Sequence, residues 1–489
     1  LAFPPEAQII ENTIIFPAAI DPDAVKIVKR LKRYGHEAFL VGGCVRDLLL
    51  GAIPKDFDVS TSARPRQIRR LFRNSKIIGR RFKLAHIMFR DKVIEVSTFR
   101  KQPPEEDSKH FKSEGLLIVR DNVYGEPRDD ALRRDFTVNS LFYDLEKEAV
   151  IDYSNGFDDL NKRLLRTIGD PHVRYCEDPI RILRAIRFSC RLKLWIEPQN
   201  AVAMKAHVDE LQKSAPPRVK EEIIRLLACG ASRQALHMIF DLGLLGVIFP
   251  ELESSLDEKA SWFNSECTGK EFLVALATAV DPLDRGRRRY SDALYLSLLF
   301  SHHVGVALSA AHERGVVIHD RIAFIDNVLR PIAMRMGVSK KDLNRIKHIL
   351  NGFHRFERKK WRGRPRPKEF VARDYFRETL EFYRFLVEGL GRDKSAFHRW
   401  LNRWNEQGAP ESGGRRARKS PPPQGRRRRR RRPRKPRDDR KPRDDRKPRD
   451  DRNSREDRKS HDDRKPREDR KPREDRKPRE DRKSRAQGD

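Results

Sequence analysis

The stretch Leu40–Thr61, LVGGCVRDLLLGAIPKDFDVST, decides the fold of this chain. It continues an apolar run, HEAFLV over 36–41, that predicts a buried strand. The pair Gly42-Gly43 then lets the backbone bend and approach a ligand with no Cβ in the way. Cys44 to Leu50 predicts a short helix whose free N–H groups face whatever the glycines admit, the arrangement of a phosphate cradle. Past Gly51 the chain returns through Pro54 and Lys55 into Asp56-Phe57-Asp58-Val59, where strand alternation puts both aspartates on one face and Phe57 and Val59 on the other. Two neighbouring carboxylates repel, so burying them together is unfavourable unless a cation sits between them. Mg²⁺, which takes oxygen ligands and keeps positions open for phosphate, suits such a pair. A Gly-Gly turn alone is mostly a plain turn, and Asp-x-Asp alone is mostly a solvated face. Together, with Arg46 and Asp47 between them, they predict a metal and a nucleotide's phosphates in one cleft.

LVGGCVRDLLLG followed by KDFDV resembles the signature of the polymerase-β-like nucleotidyltransferases in the tRNA nucleotidyltransferase and bacterial poly(A) polymerase family, and later motifs continue it in the same order. In that family the segment RRDFTVNSL, here 133–141, carries a third carboxylate and an arginine for the triphosphate. By position these are Asp135 and Arg133 or Arg134, with Asn139 tying backbone together beneath them. A third acid suits two-metal chemistry, which needs more negative ligands than two aspartates offer.

Farther on, Pro179 predicts the start of a helix on which Arg181, Arg184 and Arg187 recur every three residues, with Ile182, Leu183, Ile186 and Phe188 on the buried side. With Glu177 and Asp178 this resembles the family's E-D-x-x-R-x-x-R base-reading helix. The resemblance implies that Asp178 and Arg181 read the incoming base and that Arg184 assists or holds phosphate. An aspartate accepts from an amino group and an arginine donates to ring nitrogen or oxygen, so such a pair imitates a pairing partner without a template strand. The hairpin KIIGRRFKLAHIMFRDKVIEVSTFR, 76–100, is more basic than is usual for CCA-adding enzymes and resembles a poly(A) polymerase. Within it Glu95, in the alternation Val93, Glu95, Ser97, joins the carboxylates if that face is the cleft, or else forms a structural ion pair.

The activity so implied is template-independent transfer of AMP from ATP to an RNA 3′-hydroxyl, with release of pyrophosphate. Asp56, Asp58 and Asp135 would hold Mg²⁺, and Gly42, Gly43, Arg46 and Arg133 or Arg134 the triphosphate. RNA 3′ ends, ATP and the RNA-decay machinery are the implied partners. Addition of CCA to tRNA, and an inactive RNA-binding scaffold, are the alternatives.

Composition agrees with a polyanionic partner. The formal charge is +34 over 489 residues. From Gly413 onward 36 Lys and Arg stand against 17 Asp and Glu, a net of +19, so the remainder still carries +15 and basicity is not confined to the tail. Five scattered cysteines, with no C-x-x-C, predict free thiols in a reducing compartment, and His302-His303 lacks acidic partners at ligand spacing. Apolar runs such as Phe272 to Val280 are about half a membrane span. With no secretion-signal pattern at LAFPPEAQIIENTIIF, the expectation is a cytosolic protein without membrane contact.

The fold class expected is α+β. A small mixed-sheet catalytic head (1–166) leads into a helical nucleotide-recognition neck (167–230), a helical RNA-binding body (231–407) and a disordered basic tail (408–489). Helices are predicted at Asp21–Tyr34, Arg64–Arg73, Pro216–Cys229, Ser232–Leu245, Phe272–Val280, Ser291–Leu308, His319–Met336, Lys340–Leu350, Glu369–Leu390 and Lys394–Trp404. Lys101–Glu114 reads as a mobile loop and Arg355–Lys368 as a basic linker. The aromatics Phe376, Phe382, Tyr383, Phe385, Trp400 and Trp404, interleaved with cations, suit either a core or a grip on single-stranded RNA. In the tail, the arginine run 426–432 is the expected RNA contact. Eight hexapeptides of the form K-P-R-[DE]-D-R, 435–482, two of them degenerate, hold nothing apolar from which to build a core.

Overall fold

The computed structural model describes residues 6–79, 83–101, 123–284, 290–358 and 366–406. Eight strands form one sheet in the head: β1 (Gln8–Ile10), β2 (Ala38–Val41), β3 (Asp58–Thr61), β4 (Ser75–Ile78), β5 (Leu84–Met88), β6 (Val93–Thr98), β7 (Phe142–Asp144) and β8 (Ala149–Asp152). Their order across the sheet is β1-β8-β7-β2-β3-β6-β5-β4. Every pairing is antiparallel except β3 with β6. This register positions the site. Val41, the last residue of β2, faces Asp58, the first of β3, and also Phe142, the first of β7, while Asp58 faces Glu95 on β6. The glycine turn, the aspartate strand and the 133–141 segment therefore meet at one end of the sheet.

Helix α1 (Pro22–Arg33) starts where its sequence signals place it. Asp21 caps it, accepting from the N–H groups of Asp23 and Ala24, with Pro22 as the first helical residue. Ala24, Ile27, Val28 and Leu31, three or four residues apart, are buried against the sheet. The larger three contribute roughly 1.5–3 kcal/mol each by that burial. Helix α2 (Gly43–Leu49) follows the glycine turn. The short helix Gly156–Asn161 lies so close to the 133–141 segment that a Cβ on Gly156 would sit 2.1 Å from the Thr137 carbonyl oxygen. A second, two-stranded sheet pairs Leu164–Leu165 in parallel with Trp195–Ile196 and ties the head to the helices beyond.

Leu1–Gly413 is one compact unit, with the head sheet in its N-terminal part and helices after it. Two predicted helices are broken. Ser232–Leu245 divides at Gly243, whose φ of +66° ends Ser232–Asp241 before Leu244–Ile248 begins, and Glu369–Leu390 divides into Pro367–Val371 and Phe376–Gly389. The longest helix, Asp292–Glu313, corrects the membrane arithmetic, since its 22 residues are long and apolar enough to cross a bilayer. It is a core helix, with 72% of its most apolar window buried within the protein. Its polar residues hid the run in the sequence, and several of them bond within the protein. Ser297 and Ser301 donate to the carbonyls of Ala293 and Leu298, and His302 bonds the Ser255 carbonyl at 2.7 Å.

The aromatic cluster is core. Phe376, Phe382, Tyr383, Phe385 and Trp400 are buried, and Trp404 stacks on Phe376 at 5.4 Å. The hairpin tip 80–82, nearly all of the Lys101–Glu114 loop, linker residues 359–365 and the whole basic tail lie outside the described residues.

Candidate active site

Gly42 adopts φ +72°, ψ −128°, a conformation that side chains do not tolerate, and a Cβ there would lie 2.8 Å from Arg134 Nη1. The turn is thus pressed against an arginine of the 133–141 segment, and the Gly42 N–H donates to the Leu141 carbonyl at 3.0 Å. Arg134 is itself held from behind by Asp130, which accepts from Nη2 at 2.9 Å, and by Ser60 at 3.3 Å.

One cleft of about 560 Å³ opens here. Its lining includes Gly42, Gly43, Arg46, Asp58, Arg134, Asp135, Asp178, Arg181 and Arg184. Two predicted site residues stand outside it. Asp56 is exposed and precedes the strand, which begins only at Asp58. Arg133 is not among the lining residues, and its carbonyl accepts from Arg174 Nη2 at 2.9 Å.

Asp58 carries the electrostatic signature of a cation site. Burial and then the Glu95 carboxylate push its carboxyl up to about 6, with Asp56 adding to the effect and Arg134 opposing it. Charge is crowded where it is costly, and a hard, oxygen-liganded divalent ion fits that donor set. Asp135, expected as the third ligand, lines the same cleft as Asp58, and both its oxygens are engaged: Oδ1 accepts from Phe136 N–H at 2.9 Å and Asn139 Nδ2 at 3.1 Å, and Oδ2 takes Arg184. Burial alone would push this carboxyl up, but Arg184 and Asn139 outweigh it and hold it well below the usual carboxylate range. The acid beside Asp58 is Glu95, which also meets His86 Nε2 at 3.2 Å.

Arg46 lines the cleft too. Its guanidinium is buried, bonded through Nε to Asp47 Oδ1 at 2.9 Å and through Nη1 to Asn139 Oδ1, and it lies 5.2 Å over the Phe188 ring. Asn139 is therefore the link from Arg46 to Asp135. On the neck side, Arg181 donates to the Arg174 carbonyl at 2.6 Å, and Asp178 accepts from Arg218 at 3.0 Å.

Sequence reasoning missed two contributions. Arg174, buried, fastens the main chain of the 133–141 segment by donating to the carbonyls of Arg133 and Arg134, and no periodicity announces it. The helix Pro216–Leu227 supplies Arg218, Glu221, Glu222 and Arg225 to the cleft; their spacing along one polar face was the signal available. Glu222, buried, accepts from Arg187 at 3.1 Å and Arg225 at 3.0 Å.

A mixed sheet that presents a glycine turn, a crowded aspartate and an arginine-lined cleft to a helical neck defines a nucleotidyltransferase. Comparison with known proteins carries this further. Residues 38–166 match the profile of the poly A polymerase head domain, and 194–256 match one described as "Probable RNA and SrmB- binding site of polymerase A". The chain is 35% identical over 366 residues to poly(A) polymerase I of Salmonella typhimurium, covering 73% of this chain and 77% of that one. It is 38% identical over 318 residues to poly(A) polymerase I of Haemophilus influenzae, covering 64% and 69%. A CCA-adding enzyme of Lactobacillus helveticus is 34% identical over 221 residues, 45% of this chain and 53% of that one. Among solved structures, the Bacillus stearothermophilus CCA-adding enzyme in complex with CTP shares the fold, with a TM-score of 0.53 at 24% identity over 79% of this chain and 83% of its own. The chain belongs to the tRNA nucleotidyltransferase and poly(A) polymerase family, as a bacterial poly(A) polymerase.

Proposed function

We propose that this protein extends RNA 3′ ends with AMP drawn from ATP, without a template and with release of pyrophosphate. What carries the reading is the meeting of Gly42, Asp58, Arg134, Asp178 and Arg181 in one cleft of about 560 Å³, a volume suited to a nucleotide, in a chain that matches poly(A) polymerase I over most of its length. The triphosphate lies against the Gly42-Gly43 backbone and the Arg134 guanidinium. Asp178 accepts from the adenine amino group and Arg181 donates to a ring nitrogen, each giving up part of its present bonding to Arg218 and to the Arg174 carbonyl. Asp135 acts through Arg184, fixing the neck helix Ile180–Leu192 against the head so that the base edge and the aspartate stay in register.

The metal ligands we propose are Asp58 and Asp56, with Glu95 beside them. Mg²⁺ bound there would supply positive charge to the transferring phosphoryl group and acidity to the primer hydroxyl. The RNA lies along the helical part and is held through its phosphates, hence more weakly as salt rises. We place the protein in the cytosol, in keeping with five free cysteines, and expect the RNA-decay machinery among its partners.

CCA addition is the second reading, favoured by the fold shared with CCA-adding enzymes. Incubation of the purified protein with an unstructured RNA and a single nucleotide separates the two. A long ladder with ATP alone is expected, whereas a stop after a few residues that requires CTP would sink the first reading.

A further inference from the structure

A group of aromatic and basic side chains on the helical body touches neither the cleft nor either matched profile. It is built outward from the core. Buried Phe353 stacks on Phe263, with ring centroids 5.5 Å apart, and the next residue, His354, receives the Trp262 indole N–H at its Nε2, 3.1 Å away. Over the same indole, 4.9 Å from its centroid, lies the guanidinium of Arg321. Arg358 is near enough to act electrostatically on both Arg321 and His354.

Among the described residues no carboxylate forms an ion pair with Arg321 or Arg358. The two acids next to them in sequence are engaged otherwise. Asp320 caps its own helix through the N–H groups of Ile322 and Ala323, and Glu357 accepts from the Tyr383 hydroxyl at 3.4 Å. Arg321 is pushed down by burial and by Arg358. His354 is pushed down to about 3 by burial and by both arginines, and no negative group opposes either shift. His354 is thereby neutral and remains an acceptor for the indole. A guanidinium stacked on an aromatic face keeps its in-plane donors for a planar, anionic partner.

We propose that Arg321, stacked on Trp262, and Arg358 near it form a phosphodiester-binding site that holds single-stranded RNA away from its reacting end. The proposal rests on the reading of this protein as an enzyme of RNA 3′ ends. It adds where on the body the strand is anchored and by which groups. Phosphate is favoured over an acidic protein surface because a guanidinium stacked on an aromatic face, with a second arginine close enough to act on it electrostatically, is the combination that grips nucleic acid by charge and stacking.

The test uses the full chain, a labelled 20-nucleotide oligouridylate, and anisotropy over a salt series without ATP or divalent ions. Arg321→Gln and Arg358→Gln should each lower the slope of log K against log salt by about 0.7, the value for one phosphate contact on a single strand. Together they should weaken binding about tenfold at moderate salt. Trp262→Leu, which removes the platform and no charge, should also weaken binding, and Arg321→Lys should restore part of what Arg321→Gln loses. Arg358 is exposed, so its variant folds and stays informative. Unchanged affinity and slope in both glutamine variants would overturn the site, as would variants that lose an acidic peptide while keeping RNA. Wild-type protein that binds RNA with this slope and makes no ladder from ATP would sink the proposed function and leave the site standing.

Discussion

Arg184 sets two nitrogens, Nε and Nη2, on a single oxygen of Asp135, at 2.8 and 2.6 Å. The pair joins the segment before β7 to the helix Ile180–Leu192 and is one of the contacts that hold head to neck. Removing Arg184 leaves Asp135 charged with only the Phe136 N–H and the Asn139 amide to stabilise it. Arg184→Gln should therefore cost about 3–5 kcal/mol in urea denaturation, while Asp135→Asn combined with Arg184→Gln recovers a good part of it. A double-mutant cycle in which the two losses simply add would show that the pair is incidental.

Asp58 should behave in the opposite way. Its carboxyl is pushed up to about 6 from an unfolded value of 3.8, so the folded state binds the extra proton and this group's destabilising effect grows as pH rises from about 4 to 6. Asp58→Asn removes that burden. At pH 7 it should raise stability by about 1–3 kcal/mol and cut AMP transfer at least 10³-fold. A variant that extends RNA at the wild-type rate would end the assignment.

Gly42→Ala meets two obstacles at once, the positive φ and the Arg134 guanidinium 2.8 Å from the new Cβ. Arg134 must give way, so KM for ATP should rise about tenfold or more, in line with a lost charge-assisted contact. Gly43→Ala, whose Cβ would have 3.6 Å to Arg46 Nη2, should be milder. Equal effects would mean that the turn plays no part in binding the nucleotide.

His354 supplies a pH signature. Its ring is pushed down from 6.5 to about 3 by burial, Arg321 and Arg358, so the unfolded chain binds a proton that the folded one refuses. Stability from this group is complete above pH 6.5 and is lost progressively between 6.5 and 3. Denaturation midpoints followed from pH 7 to 4 should fall less steeply in His354→Gln than in wild type. Parallel curves would count against the neutral, indole-accepting ring.

Much of the head could be read locally. The cap at Asp21, the glycine turn, the alternation through Phe57 and Val59 and the arginine spacing after Pro179 are short-range signals, and short-range sterics and burial settle them. The breaks in the body helices and the 22-residue core helix were less legible, because one glycine within an apolar run does not announce a positive φ, and the bond of His302 reaches a carbonyl 47 residues away.

What the chain alone determined was the inventory: a glycine turn, an aspartate strand, an arginine segment and an arginine helix, in an order that marks the family. The partners were decided by the folded state. The motif supplies Asp135, and folding pairs it with Arg184, 49 residues on. Glu95 stands beside Asp58 because β6 pairs in parallel with β3, and Arg46 turns inward because Asn139 is within reach. A charged side chain binds the opposite charge or hydrogen-bonding group that folding brings nearest, and only the register of strands and the packing of helices decide which group that is.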